Sequence, residues 1–197
     1  METIILYFHG FASSSKSDKV KILKKFFSNE ITNAKIIAPD LSNNFSETIS
    51  QIEKLIERYS KFEICMMGSS LGGYYASYFA TKLKAKAVLI NPAIYPLEGF
   101  DIYLGKNENF STGEEFYITD EDIKYLRTIS YKKYKNQRNT LILLESNDEV
   151  LSYKNTCSYY YGSNIDITFG GDHSYISLSK KLNKIRNFLF KKSSLRN

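Results

Sequence analysis

The run Gly68-Ser69-Ser70-Leu71-Gly72 follows a short apolar stretch and opens a longer helix-forming one. It matches G-x-S-x-G, whose mechanical sense is a sharp strand-to-helix turn that lifts a serine hydroxyl clear of the backbone. Such a turn strains the serine and leaves no room for side chains two residues before and two after it. Gly68 and Gly72 meet that demand, and Gly73 lets the following helix approach the sheet closely. The pentapeptide alone also describes a glycine-rich helix start that binds an anion. The strand before it and the helix after it favour Ser70 as a nucleophile, with Ser69 out of frame as a neighbour.

A serine hydroxyl at neutral pH is a weak nucleophile and needs a base within hydrogen-bond reach. The chain has two histidines. With a nucleophile on a strand-to-helix turn, the acid and then the histidine follow it in the chain; His9 precedes Ser70, so His173 is the expected base. It lies in Gly170-Gly171-Asp172-His173-Ser174, between the last expected strand and the last expected helix. Its neighbour Asp172 reads as a loop or cap residue.

The acid that orients the histidine must fall between Ser70 and His173, just beyond a strand. Leu141 to Leu144 supplies the strand, and Glu145, Asp148 and Glu149 are the candidates. Asp148 is favoured because Ser146 and Asn147 form a turn that can point it back toward His173. Its task is to accept the Nδ1 hydrogen bond and steady the imidazolium.

A tetrahedral intermediate also needs donors for its oxyanion. The backbone N–H of Leu71 is one expected donor, and the N–H of Phe11, after the first strand, is the other. His9 is read as holding that loop in place. With one other histidine and no clustered cysteines, a metal site has little support.

The elements that must position these groups alternate along the whole chain. Strands are expected at Thr3 to Phe8, Lys35 to Ala38, Glu63 to Met67, Ala85 to Ile90, Thr140 to Leu144 and Ile165 to Phe169. Helices are expected around Val20 to Phe27, from an N-cap at Ser46 through Tyr59, over Leu71 to Leu83, from Asp120 to about Lys133, over Ser152 to Tyr161, and last with Ile176, Leu178, Leu182, Ile185 and Leu189 inward. Strand and helix in turn imply crossover connections, hence a mostly parallel six-stranded sheet with helices on both faces. Together with the elbow, this is the α/β-hydrolase fold in a minimal form. Residues 1–197 read as a single domain. Within it, residues 92–119 lose the alternation and form a candidate lid or substrate loop. Phe11, Tyr74, Phe100, Tyr103 and Phe110 are available to line an apolar acyl site.

Composition narrows the alternatives. The 197 residues are 43% hydrophobic and 24% charged, as in ordinary globular proteins. Net charge is +6, with Lys180, Lys181, Lys184, Arg186, Lys191, Lys192 and Arg196 near the C-terminus. Without an accompanying nucleic-acid-binding motif, the cluster reads as a solvated helix face and tail, and no nucleic-acid partner is expected. Cys65 and Cys157 stand in unrelated contexts and suggest no pairing. The apolar run at Ile4 to Phe8 is too short for a signal peptide, and no stretch approaches the length of a membrane span. A cytoplasmic protein is the expectation.

With those residues assembled, the chain resembles the YqiA-like esterases, a family of small bacterial α/β-hydrolases. The likeness lies in Leu6-Tyr7-Phe8-His9-Gly10-Phe11 with Ser13 and Ser14, in Gly68 to Ala76, and in Asn91-Pro92-Ala93. It continues through Tyr103-Leu104-Gly105, Thr112-Gly113-Glu114, Asp148-Glu149-Val150-Leu151 and Gly170 to Ser174. The resemblance implies hydrolysis of carboxylic esters, and of acyl thioesters such as acyl-CoA, with no metal or organic cofactor. It supports Ser70, Asp148 and His173 in the roles above. Asn147 stands where the family usually has glycine, and Ser152 where an acid is common. The competing reading is a hydrolase-like fold that serves as a non-catalytic binding or interaction module.

Overall fold

The computed structural model describes residues 2–190. In chain order the elements are β1 (Thr3–Phe8), α1 (Asp18–Glu30), β2 (Ala34–Ile37), α2 (Phe45–Arg58), β3 (Glu63–Ser70), α3 (Leu71–Leu83) and β4 (Ala87–Pro92). They continue with β5 (Gly105–Glu108), β6 (Glu115–Ile118), α4 (Asp120–Thr128), β7 (Thr140–Glu145), α5 (Tyr153–Tyr159), β8 (Asn164–Thr168) and α6 (Leu178–Phe190). Six strands form one parallel sheet in the order β2-β1-β3-β4-β7-β8.

Both faces of this sheet are covered, which is why the central strands β1, β4 and β7 read as nearly continuous apolar runs, while the edge strands β2 and β8 carry Lys35, Asn164 and Asp166. On one face Leu6, Phe8, Met66, Leu89 and Leu144 join Ile52, Phe79 and Leu126 from α2, α3 and α4. On the other, Ile5, Tyr7, Met67, Val88 and Leu143 pack with Leu23 and Phe27 of α1 and Ile185 and Leu189 of α6. The strand-by-strand alternation follows from the period of two along an extended chain. Cys65 and Cys157 are free thiols, Cys65 within the core.

The strand order reverses direction between β1 and β3, since the chain leaves β1 toward β2 and returns to the opposite side. Ligands in open parallel sheets bind beyond the carboxyl ends of the strands at such a reversal. The loop after β1 and the turn after β3 therefore flank one crevice.

Several expected boundaries move. Asn44, not Ser46, caps α2, accepting from the Glu47 N–H, while the Ser46 hydroxyl donates to the Asn44 side chain. Helix α4 ends at Thr128 rather than near Lys133, because the chain turns back to bury Tyr134 against Thr140. Ile176 lies ahead of α6 and is exposed, not inward. The segment 92–119 holds a 3-10 turn at Phe100–Tyr103 and an antiparallel hairpin, β5 with β6. The hairpin tip is docked on the loop after β1: the Phe110 N–H donates to the Ala12 carbonyl and the Asn109 side-chain amide to the Ser13 carbonyl. Of the basic cluster, Lys191, Lys192 and Arg196 lie outside the described residues. Lys181 and Lys184 both pair with Asp166, and Arg186 with Glu30. Among the described residues no helix is long and apolar enough to cross a membrane.

Candidate active site

Ser70 stands at the junction of β3 and α3 with φ 52° and ψ −124°, a backbone state that costs an L-residue about 1–3 kcal/mol. Three glycines make the turn sterically feasible. A Cβ on Gly68 would run into the Gly72 backbone, and one on Gly72 into the Phe8 and His9 carbonyls. One on Gly73 would press on Pro92, where α3 crosses β4. The carbonyl of Ser70 accepts from the Ala93 N–H at 3.0 Å, tying the turn to the end of β4. The side chain of Ser69 points away into the core and shares a 3.1 Å hydrogen bond with the Tyr7 hydroxyl.

The imidazole of His173 bridges Ser70 and Asp148. Its Nε2 is 3.0 Å from Ser70 Oγ, and its Nδ1 is 2.9 Å from each carboxylate oxygen of Asp148. A carboxylate only accepts, so Nδ1 carries the proton and Nε2 is left to accept from the serine hydroxyl. The Asp148 side chain is 2% exposed. Its Oδ1 also accepts from the backbone N–H groups of Val150 and Leu151, at 2.9 and 2.8 Å, which hold the carboxylate independently of the ring.

The rival acids lie elsewhere. Glu149 accepts from the His173 backbone N–H at 2.9 Å, and its carboxylate makes no bond to the ring. Glu145 is fully buried at the end of β7 and accepts from backbone groups of the histidine loop.

On the opposite wall, a Cβ placed on Gly10 would stand 3.3 Å from the Ser70 Cβ, so the loop carrying Phe11 lies directly over the elbow. Leu71 opens α3 beside it, with its N–H at a helix start where backbone donors lack intrahelical partners. His9 is buried behind this loop. Its Nδ1 donates to the Gly10 carbonyl at 2.9 Å and its Nε2 accepts from the Leu41 N–H at 3.0 Å. Burial holds the His9 pKa below its ordinary value, against the opposing pull of the Gly10 carbonyl and Asp40. The neutral ring thus pins the loop after β1 to the loop after β2.

These groups open onto a cleft of about 440 Å³, walled by Phe11, Phe100, Tyr103, Phe110 and Leu151 beside Ser70 and His173. Phe11 contacts Phe100, Tyr103 and Phe116 edge-on or tilted, with centroids 4.6 to 5.6 Å apart. Tyr74, expected here, is instead buried in the core and donates to the Leu126 carbonyl. Lys19, absent from the expected set, reaches the rim and donates to the Ser174 carbonyl at 2.6 Å. Burial lowers its pKa, with Asp172, Asp18 and Glu145 pulling the other way. Asn91, recognised only as part of a motif, also bonds the histidine loop. Among the described residues no group of three or more His, Cys, Asp or Glu side chains is arranged to hold a metal ion.

The model of the family described as "Uncharacterised protein family (UPF0227)" matches residues 4–190. The chain belongs to this family. Among its relatives is the UPF0227 protein YcfP of Escherichia coli, 22% identical over 191 residues, which cover 94% of this chain and 98% of that protein. The resemblance expected from the motifs therefore holds over nearly the full length at low identity. Est1E from Butyrivibrio proteoclasticus superposes with a TM-score of 0.72 at 16% identity, over 95% of this chain and 87% of that one. Alpha/beta hydrolase domain-containing protein 10 from mouse gives 0.70 at 15%, over 94% and 89%. The esterase domain of a Rhodothermus marinus protein gives 0.67 at 15%, over 92% and 84%. These likenesses establish the α/β-hydrolase fold.

Proposed function

We propose that the chain is a serine hydrolase that cleaves carboxylic esters through an acyl-enzyme on Ser70. The observation that carries this reading is the single imidazole of His173 bonded at once to Ser70 Oγ and to Asp148. Ser70 Oγ attacks the ester carbonyl as His173 Nε2 takes its proton. The backbone N–H groups of Leu71 and Phe11 receive the oxyanion, the intermediate collapses, and the imidazolium returns its proton to the leaving alcohol. Water, deprotonated by the same nitrogen, then frees the acid. Asp148 keeps the ring in the productive tautomer throughout.

The aromatic wall of Phe11, Phe100 and Tyr103 suits an apolar acyl group. A thioester, acyl-CoA included, is the second substrate class open to the same residues, since only the leaving atom changes. No metal or organic cofactor takes part in this sequence of steps. Esterases among proteins of the same fold support the reading.

Intact-protein mass after exposure to a fluorophosphonate, for wild type and Ser70→Ala, tests it beside a short-chain nitrophenyl ester assay. A single adduct on wild type alone, with turnover lost in Ser70→Ala, is the expected result. No adduct and no turnover in well-folded wild type would transfer the reading to a binding module.

A further inference from the structure

We propose that Glu145 and Asn91 are positioning residues for His173, together setting the course of loop 170–177 and thereby the place of the imidazole. This rests on the reading of His173 as the base. The loop contains no helix or strand between β8 and α6, and although the Tyr175 N–H donates to the Asp172 carbonyl within it, the backbone N–H groups of Asp172, Ile176 and Ser177 take partners outside it.

Glu145 supplies both carboxylate oxygens. Its Oε2 accepts from the N–H of Asp172 at 2.8 Å and of Ile176 at 3.2 Å, and its Oε1 from the N–H of Ser177 at 2.8 Å. One side chain thus clamps the loop on both sides of His173. Asn91 grips the opposite polarity: its amide nitrogen donates to the carbonyls of Asp172 and His173, at 3.0 and 3.4 Å. The two clamps are joined, because Asn91 Oδ1 accepts from the Glu145 backbone N–H at 3.0 Å. They rise from the paired strands β4 and β7, so the sheet itself sets their spacing.

Two further features fit this role and not that of an ordinary core residue. Burying a carboxylate is costly unless its oxygens are fully bonded, and an apolar side chain would fill the same space without that cost. Glu145 is 0% exposed and Asn91 1%. The loop also comes so close that a Cβ on Gly171, whose φ is +74°, would collide with the Glu145 carboxylate. Only glycine passes over it. The tips of the ring meet Ser70 and Asp148 at 3.0 and 2.9 Å, and a displacement of about 1 Å takes such contacts out of hydrogen-bond range.

The test uses the two histidines as reporters. In ¹⁵N-histidine-labelled protein, the Nδ1–H of His173 bonded to a carboxylate gives a downfield proton, and the buried His9 serves as internal control. In Glu145→Ala and Asn91→Gly the His173 signal should be lost to exchange while the His9 signal stays. For a nitrophenyl ester, kcat should fall ~100-fold with KM changed by no more than about twofold. Glu145→Gln keeps an acceptor for Asp172 and Ile176. It should restore the signal and bring kcat to within about threefold of wild type, having lost the contact to the Ser177 N–H while keeping those to Asp172 and Ile176. Retention of the His173 signal in Glu145→Ala overturns the proposal. So does loss of both histidines' signals in Glu145→Gln, which would mark a plain core residue. The resonance reports ring position without turnover, so an inactive wild type with an intact signal would count against the esterase reading alone.

Discussion

The α-carbon of Gly10 faces Ser70 so closely that a methyl group there would stand 3.3 Å from the Ser70 Cβ. That spacing is tighter than relaxed carbon contacts at about 3.5–4.0 Å, so a side chain there makes the loop after β1 or the elbow give by a few tenths of an ångström. The proposed oxyanion donor Phe11 rides on the same loop. Gly10→Ala should lower kcat by roughly 10–100-fold, as expected for a displaced oxyanion donor. Its urea midpoint should move little, because the loop lies at the cleft and not inside a helix layer. Steady-state kinetics and urea unfolding on the same preparation check both parts.

Asp148→Asn should leave the fold intact and reduce kcat by about 10³–10⁴, because an amide can donate to Nδ1 and so favours the tautomer with its proton on Nε2. The Val150 and Leu151 N–H groups can still be satisfied by the Asn carbonyl, which then leaves the NH₂ facing the ring. Full activity in Asp148→Asn, with activity lost in Glu145→Gln, would move the acid to Glu145. Nitrophenyl ester kinetics on the two variants decide it.

The buried, neutral His9 links stability to pH. Its folded-state pKa is lowered from 6.5 by burial, so below that value the unfolded chain binds more protons at this site than the native one. Stability should therefore fall as pH drops from about 6.5 toward the lowered native value, by at most about 1.4 kcal/mol per pH unit from this group. Above 6.5 the slope fades as the unfolded imidazole also loses its proton. Protonation at Nε2 would also cancel its bond from the Leu41 N–H. Urea midpoints between about pH 5 and 7 should slope upward in wild type, and His9→Gln should remove this component.

Phe110 is 83% exposed yet lines the cleft from the hairpin tip. Its side chain gains little from folding, so Phe110→Ala should shift stability by less than about 0.5 kcal/mol. A bound acyl chain would cover it. KM for esters with longer acyl chains should therefore rise about fivefold, equivalent to roughly 1 kcal/mol of buried apolar contact, with acetyl esters unaffected. A chain-length series of nitrophenyl esters checks this, and an equal change at every length would remove Phe110 from the acyl site.

Much of this site is dictated by local sterics and is therefore legible in sequence. Gly68, Gly72 and Gly73 must be glycine for a strand to turn into a helix within that space. Short apolar runs announce the strands, most completely in the central β1, β3, β4 and β7, and the presence of two histidines leaves one candidate base after the elbow. The hairpin at 105–118 escapes this reading because its four-residue strands are half exposed and carry Lys106, Asn107, Glu108 and Glu115. Tyr74 misleads because its aromatic character suits a core as well as a cleft, and helix rotation alone turns it inward.

Other decisions belong to the tertiary structure. Glu145, Asp148 and Glu149 lie within five residues of one another, and the turn at Ser146-Asn147 favours Asp148 without assigning a task to the other two. Their division of labour depends on a loop 25 residues further along the chain reaching back over β7, so that one carboxylate meets the ring, one the loop's amides from below and one its backbone from the side. Asn91 likewise takes its part only because β4 and β7 are neighbours in the sheet. Residue type determined which groups could act at Ser70. Strand order and the path of loop 170–177 decided which of them touch, because hydrogen bonds between distant segments require a particular placement of backbone that no short stretch of sequence encodes.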